Sequence, residues 1–436
     1  MNPELLGKYF GRLEALSPYR WQGKVTQVLG QMIESEGPFC SAGDFCEIVS
    51  ARGEVFAGQI IGFRGASVLA MTFEPPRHVA YGDRVVTWGA RPQVRAGDEL
   101  IGRVINALGK PLDSGGSYRG ESTRELERAA PLPFERQLIR ESIACGVRAI
   151  DGLLTCGRGQ RIGIFGGSGV GKSTLLGMMA RNTTADLTVL ALIGERGREV
   201  REFLEHSLGE EGLRRSVVVV STSDQTPLLR VRGALVATTI AEHFASLGKN
   251  VLLFIDSLTR LAMAQREISL TAGEPPTSKG YTPSVFSMMA RLIERAGKFG
   301  TGSITGFYTV LMEGDDQQDP IVDGARALLD GHIVLDRKLA AQNHYPPISI
   351  LDSISRLMPA VCSREHLEKA AELRRLLASY YASEDLVRIG AYQKGNDSVL
   401  DHALELLPQL RSFLQQKPDE AASFNETQSQ LLKLGA

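Results

Sequence analysis

Apolar and polar positions change rhythm three times along the chain. Residues 3–16 set Leu5, Leu6, Tyr9, Phe10, Leu13 and Leu16 on one helical face, with Lys8 and Arg12 on the other. Pro18 ends that pattern. It predicts an amphipathic helix within residues 1–20, packed on its own domain or docked on a partner or membrane surface. From 21 to about 89 the apolar runs are short: 24–33, 45–49, 55–63, 68–73 and 84–88. Gly, Pro and charged residues separate them, which predicts a small β-barrel or sandwich over 21–92. Residues 90–150 form a connector in which 100–113 read as a strand and a Gly109-Lys110-Pro111 turn. Between 150 and 360, wholly apolar runs at 162–165, 187–193, 217–220, 251–255, 304–310 and 333–335 alternate with helical stretches near 174–180, 200–208 and 236–247. Runs apolar on both faces predict a parallel sheet covered by helices on both sides, an α/β domain over 93–360. Beyond 361 the strand pattern stops. Ser363 reads as the cap of a helix through Leu376, and 385–389 and 399–407 suggest further helices in a helical domain over 361–436.

Composition narrows the function classes. The 436 residues are 43% hydrophobic and 23% charged, ordinary for a soluble globular chain. A formal net charge of −1 gives no global field to recruit nucleic acid or anionic membrane. Residues 21–89 also lack the interleaved basic and aromatic residues that stack single strands, so no nucleic-acid partner is expected. Cys40, Cys46, Cys145, Cys156 and Cys362 are odd in number and scattered, with no second Cys/His pair near the closest two. Free thiols in a reducing cytoplasm are the expectation. The N-terminus does not read as a signal peptide, and no apolar run is long enough to span a membrane. A cytoplasmic chain that meets a membrane through a partner is expected.

The chemistry centres on Gly166, Gly167, Ser168, Gly169, Val170, Gly171, Lys172 and Ser173, which fit G-x-x-x-x-G-K-[ST] between an apolar strand and a helix opening at Thr174. Glycines let backbone N–H groups turn inward around a phosphate, and the helix N-terminus adds positive potential. Lys172 would reach the β- and γ-phosphates, and the Ser173 hydroxyl would hold Mg²⁺. Asp256 closes the run 251–255, where a carboxylate can hold Mg²⁺ through its water shell or cap the helix that starts at Ser257-Leu258-Thr259. Glu195 and Arg196 follow the run 187–193 within Gly194-Glu195-Arg196-Gly197-Arg198-Glu199. Glu195 could orient or deprotonate a water attacking the γ-phosphate, and Arg196 could pair with phosphate oxygens. A charged turn with an internal ion pair is the plainer alternative. Tyr345 offers a flat face for adenine and Arg356 a cation for a transition state, although a core tyrosine and a surface arginine explain them equally simply.

These stretches, together with 100–113, resemble the hexameric ATPase family of rotary ATP synthases over nearly the whole chain. Gly159-Gln160-Arg161, 192–200, 263–268, Gly273-Glu274-Pro275-Pro276 and Lys279-Gly280-Tyr281 are most similar to the type III secretion ATPases. The stretch 313–320 looks like the flagellar export branch rather than the injectisome branch. The resemblance implies a P-loop (RecA-like) core between a β-barrel and a helical C-terminal domain, assembled as a homohexamer that hydrolyses ATP with Mg²⁺. It implies Glu195 as catalytic carboxylate, Arg196 as a γ-phosphate contact, Asp256 on Mg²⁺, Tyr345 on adenine, Thr174 in the nucleotide loop and Arg356 acting on the neighbour's nucleotide. The implied partners are a regulatory stator protein at the N-terminal helix, a coiled-coil stalk protein, the export gate at the inner membrane, and export substrates with their chaperones. Two relatives of the same core are the alternatives. A rotary synthase catalytic subunit would carry an acidic rotor-pushing loop, and 361–436 show no acidic run. A ring-shaped RNA helicase would need a basic, aromatic N-terminal domain.

Overall fold

The computed structural model describes residues 19–312, 316 and 318–435. The helix expected within residues 1–20 lies outside the described residues except for Tyr19 and Arg20, as does half of the stretch 313–320 that carries the flagellar likeness.

Alternation of apolar and polar residues closes the first module. Strands β1 (Trp21–Leu29), β2 (Met32–Glu36), β3 (Phe45–Val49), β4 (Val55–Arg64), β5 (Ser67–Thr72) and β6 (Arg84–Thr87) form a closed barrel in the order β1-β2-β5-β4-β3-β6. One side chain in two points inward, so Val25, Ile33, Cys46, Ile48, Ile60, Val68, Ala70 and Val85 make its core. The run expected at 24–33 is a hairpin turning at Gly30 and Gln31. Apolar pairs on either side, Val28-Leu29 and Met32-Ile33, had hidden that turn.

The connector is less irregular than its composition suggests. Strand β7 (Gln93–Ala96) pairs with β9 (Ser122–Glu125), while β8 (Val104–Asn106) leaves them to join the edge of the large sheet. The expected strand and turn within 100–113 are thus part of the core sheet. A short pair, β10 (Ser142–Ile143) and β11 (Cys156–Gly157), leads into it.

The core sheet contains β12 (Arg161–Gly166), β13 (Leu187–Ile193), β14 (Ser216–Ser221), β15 (Asn250–Asp256), β16 (Gly297–Lys298), β17 (Ser303–Leu311), β18 (Gly331–Leu335) and β19 (Ile348–Ser355). Its order is β19-β18-β12-β17-β15-β13-β14-β8, with β16 beside β17. Neighbours along that path are parallel except β18 and β19. All seven residues of β13 are buried, because its two faces serve different clusters. Val189, Ala191 and Ile193 meet helices Pro227–Ser246 and Leu258–Ala272, together with Met71 and Phe73 from the barrel. Leu190 and Leu192 belong to a second cluster, which runs through helix Lys172–Asn182 to the C-terminal helices.

Those C-terminal helices are Arg364–Arg388, Ser398–Leu414 and Phe424–Lys433, capped by Ser363, Asp397 and Ser423. The stretches read from sequence as ending at Leu376 and restarting at 385 are one helix of 25 residues. Leu373, Leu376, Leu410, Phe413 and Leu431 enter the same cluster as Leu190. No described helix is long and apolar enough to cross a membrane.

One close approach fixes the helix after the glycine-rich loop. A turn of π-helix, Phe203–Leu208, lies so near helix Lys172–Asn182 that a Cβ on Gly177 would stand 2.2 Å from the Ser207 carbonyl oxygen. Backbone cannot rotate away as a side chain can. Gly177→Ala should therefore lower stability by about 1–3 kcal/mol through overpacking. Gly197→Ala, where the added Cβ meets nothing within 4 Å, should not. Urea unfolding of the two variants checks this, and equal stabilities would contradict it.

Candidate active site

The carboxyl edge of a parallel sheet gathers strand ends and helix N-termini, and here it gathers four elements. Strand β12 ends at Gly166. The chain then turns through Gly169 and Gly171, both with positive φ (77° and 100°), into helix Lys172–Asn182. Only glycine takes such angles without strain, so the loop needs glycine there. No described side chain caps the helix, and its first turn carries no acidic residue. The N–H groups at its start therefore face the cleft, with the positive end of the helix dipole behind them.

Strand β13 delivers Gly194, Glu195 and Arg196. Gly194 N–H donates to Ser221 O at 2.7 Å, and Glu195 O accepts from Ser223 N–H at 3.0 Å, which pins this turn to the end of β14. Strand β15 delivers Asp256. Its carboxylate does not cap the following helix: the Ser257 hydroxyl accepts from Arg260 N–H at 3.2 Å and takes that part. The capping alternative for Asp256 is thereby corrected, and the carboxylate is left for other contacts. Thr309 of β17 donates to Asp256 Oδ1 at 2.6 Å.

The three charged groups converge. Lys172 Nζ lies 2.6 Å from Asp256 Oδ1 and 3.7 Å from Glu195 Oε1. All three side chains are largely buried, between 4% and 15% exposed. Burial pushes the Glu195 carboxyl up from 4.5 to about 7, and the Asp256 charge adds to that, against the pull of Lys172. Burial also opposes the Lys172 charge, but the two carboxylates outweigh it and the ammonium is held above its ordinary range. A carboxyl that titrates near neutrality beside an open cleft can exchange a proton with a bound water.

The cleft has a volume of about 860 Å³ and is lined by Gly167, Ser168, Gly169, Gly171, Lys172, Ser173, Thr174, Glu195, Arg196 and Asp256. Ser173 and Asp256 supply a hydroxyl and a carboxylate, the hard oxygen donors that suit Mg²⁺. Glu199, the next carboxylate of the Gly194–Glu199 turn, also lines the cleft, and two lining arginines were not singled out from sequence: Arg260 and Arg337. Arg260 packs so closely on Gly194 that a Cβ there would lie 3.0 Å from the arginine Cβ. Both arginines sit in the first turn of a helix that follows a core strand, at Asp256 and Leu335 respectively. That position is readable in the sequence once the strands are known.

The other expected residues are spread out. Arg196 stands at the mouth, with its side chain 75% exposed and paired with Glu199 at 3.7 Å. The Tyr345 ring, 44% exposed, flanks the loop, 3.7 Å from where a Gly171 Cβ would be. Arg356 is elsewhere. Strand β19 runs against β18, pairing Ser355 with Gly331, and Arg356 N–H donates to Asp330 O at 3.0 Å. That is the amino edge of the parallel strands, on the order of 15 Å from the carboxyl edge at about 3.3 Å per residue. Arg356 is exposed there. The fold brings Lys172, Ser173, Glu195 and Asp256 together and leaves Arg356 on another face.

Comparison with known proteins bears on this geometry. Residues 146–355 match the ATP synthase alpha/beta family nucleotide-binding domain, and 362–433 match the T3SS EscN ATPase C-terminal domain. The Flagellum-specific ATP synthase of Bacillus subtilis (strain 168) is 51% identical, with 97% of each chain covered. The Type 3 secretion system ATPase of Xanthomonas euvesicatoria is 46% identical, over 95% of this chain and 94% of that one. The solved structure of the assembled ATPase EscN from the type III secretion system of enteropathogenic E. coli is 44% identical, with a TM-score of 0.89. It covers 95% of this chain and 100% of its own. The same protein in complex with its central stalk EscO gives 0.88.

Removing the ammonium tests the charge arrangement apart from any activity. In Lys172→Met two buried carboxylates lose their cation, an effect of about 3–5 kcal/mol. The loss should be larger at pH 8 than at pH 6. A carboxyl raised in the folded state adds stability below its unfolded value, and that stability goes as pH rises through the folded value. For Glu195 that window is roughly 4.5 to 7 in the native chain, and without Lys172 it extends upward. Urea unfolding at the two pH values measures it, and losses of equal size would contradict the arrangement.

Proposed function

This chain belongs to the family of flagellum-specific and type III secretion ATPases and is an ATPase, and we propose that its hydrolysis is Mg²⁺-dependent and centred on Lys172, Ser173, Glu195 and Asp256. The observation that carries the site is the convergence of the Lys172 ammonium with the Asp256 and Glu195 carboxylates beside uncapped helix N–H groups. Residues 166–174 cradle the phosphates through backbone N–H groups, and Lys172 adds a point charge to the outer phosphates. Ser173 and Asp256 hold Mg²⁺, which neutralises charge on the phosphate oxygens. Thr309 fixes the Asp256 carboxylate by its hydrogen bond. Glu195, raised toward neutrality, accepts or orients the proton of the attacking water. Arg196 swings from the mouth onto γ-phosphate oxygens. Tyr345 takes the adenine on its ring face.

Arg356 completes the site from a neighbour. The support is its position: an exposed guanidinium on an edge that its own cleft does not reach. A ring of six identical chains, each offering Arg356 to the next cleft, satisfies that geometry. An assembled form and a central-stalk complex are described for EscN, which is 44% identical. We extend both to this chain. The turnover energises or primes export of unfolded flagellar, type III substrates and their release from chaperones. The wider partners are a stator protein at residues 1–20 and the export gate, which place the ring in the cytoplasm against the inner membrane. The flagellar assignment draws on relatives named for the flagellum at 44% to 51% identity. An injectisome role has the Xanthomonas relative and EscN behind it.

Glu195→Gln should bind ATP and lose about 10²–10⁴-fold in turnover. In the native chain kcat/KM should rise as pH passes through about 7, and the limb should be absent in the variant. Native turnover in Glu195→Gln would leave the residue as an ion-pair partner only.

Arg356→Ala alone should lose about 10³–10⁵-fold in kcat, the range of an arginine finger. Mixed with Glu195→Gln it should regain activity, since some interfaces then join an intact glutamate to an intact arginine. Assembled mixed rings with no recovery would reject the shared site.

A further inference from the structure

The nucleotide loop and the C-terminal helices meet at one buried amide. Gln416 follows helix Ser398–Leu414 and is 4% exposed. Its backbone N–H donates to the Tyr345 carbonyl at 2.9 Å. Its side-chain oxygen accepts from Arg148 N–H at 2.9 Å, and its side-chain nitrogen donates to Gly146 O at 2.9 Å and Glu420 O at 2.8 Å. One acceptor and two donors thus each have a partner. The segment around Gln416 is clamped as well. Arg148, itself buried, donates to Phe413 O at 2.9 Å and also binds Gln415 O and the Glu420 carboxylate. Arg181, in the last turn of helix Lys172–Asn182, reaches Pro418 O. Residues 413–420 therefore tie the Tyr345 backbone to both ends of the stretch that carries the phosphate loop.

We propose that Gln416 is a positioning residue for the nucleobase: it holds the Tyr345 backbone so that the ring stays beside Gly171. This rests on Tyr345 being the adenine platform. Gln416 touches neither phosphates nor the reacting atoms. Its loss should weaken recognition of the base and spare recognition of the phosphate chain. Gln416→Glu places oxygens opposite the two carbonyls that the amide nitrogen serves, so it breaks those bonds with little change of shape. Gln416→Asn keeps the amide but is one methylene too short to span them.

The test uses the full chain in its assembled form, with ATP as substrate and inorganic tripolyphosphate as a competitor that lacks a base. Gln416→Glu should raise KM for ATP about tenfold, within the range of base stacking on an aromatic ring. Its kcat and the inhibition constant of tripolyphosphate should stay within about twofold. Gln416→Asn should move KM the same way by less, and it carries the test if Gln416→Glu does not fold. Combined with Tyr345→Ala, neither change should add to the KM of Tyr345→Ala alone. Parallel changes in KM, kcat and tripolyphosphate inhibition would mean a merely structural amide, and additivity with Tyr345→Ala would also overturn the inference. If Tyr345→Ala itself left KM for ATP unchanged, the adenine platform would fail first. A shift for Tyr345→Ala with none for either Gln416 variant would sink only the positioning role.

Discussion

A lysine ammonium held between two buried carboxylates is the constraint on which this fold depends. Two negative charges and one positive charge sit where water is scarce, and such a cluster is tolerable only if its members are held in contact. Each member comes from a different part of the sheet. Lys172 opens the helix after β12, Asp256 ends β15, and Glu195 follows β13. Register supplies the alignment: Leu192 pairs with Asp256, Ile255 with Tyr308, and Phe165 with Val310. The strands are apolar on both faces because the sheet must be rigid and dry enough to deliver three charges to one place.

The flanking modules support that edge. Phe73 of the barrel joins the first cluster, and its carbonyl accepts from Thr226 at the start of helix Pro227–Ser246. A buried Arg295 pairs with Glu242 through two nitrogens and donates to Leu126 O, which fastens the connector to the same helix. On the other face the C-terminal helices fill the second cluster and send Gln416 to the Tyr345 loop. The cleft is thus held from both sides of the sheet.

What the sequence discloses depends on how local each signal is. The glycine-rich loop, the strand ending in Asp256 and the turn carrying Glu195 are each contained in about ten residues, and each lies where periodicity places it. The barrel strands are legible for the same reason, except at Gly30 and Gln31, where apolar residues on both sides conceal the turn. The helix Arg364–Arg388 runs through Ala378, Ser379 and the polar stretch that follows, which reads as a break until tertiary packing carries it across. Arg260 and Arg337 need strand order before their helix starts can be assigned to the cleft. Gln416 is beyond sequence reading altogether, since its partners lie at 146–148, 345 and 420.

The second hydrophobic cluster crosses the boundary between the sheet and the C-terminal helices. Leu190 and Leu192 of the sheet and Leu376, Leu410 and Phe413 of the helices are members of one core. The nucleotide-binding stretch is therefore not a cassette. Excised at residue 361, it would uncover helix Arg148–Leu153 and strand β19, which the C-terminal helices contact, and exposed apolar surface of that kind associates or collapses in water. The barrel keeps a closed core of its own, although Met71 and Phe73 also enter the first cluster. On this ground the C-terminal helices should have changed in step with the sheet that they cover, as one inherited unit.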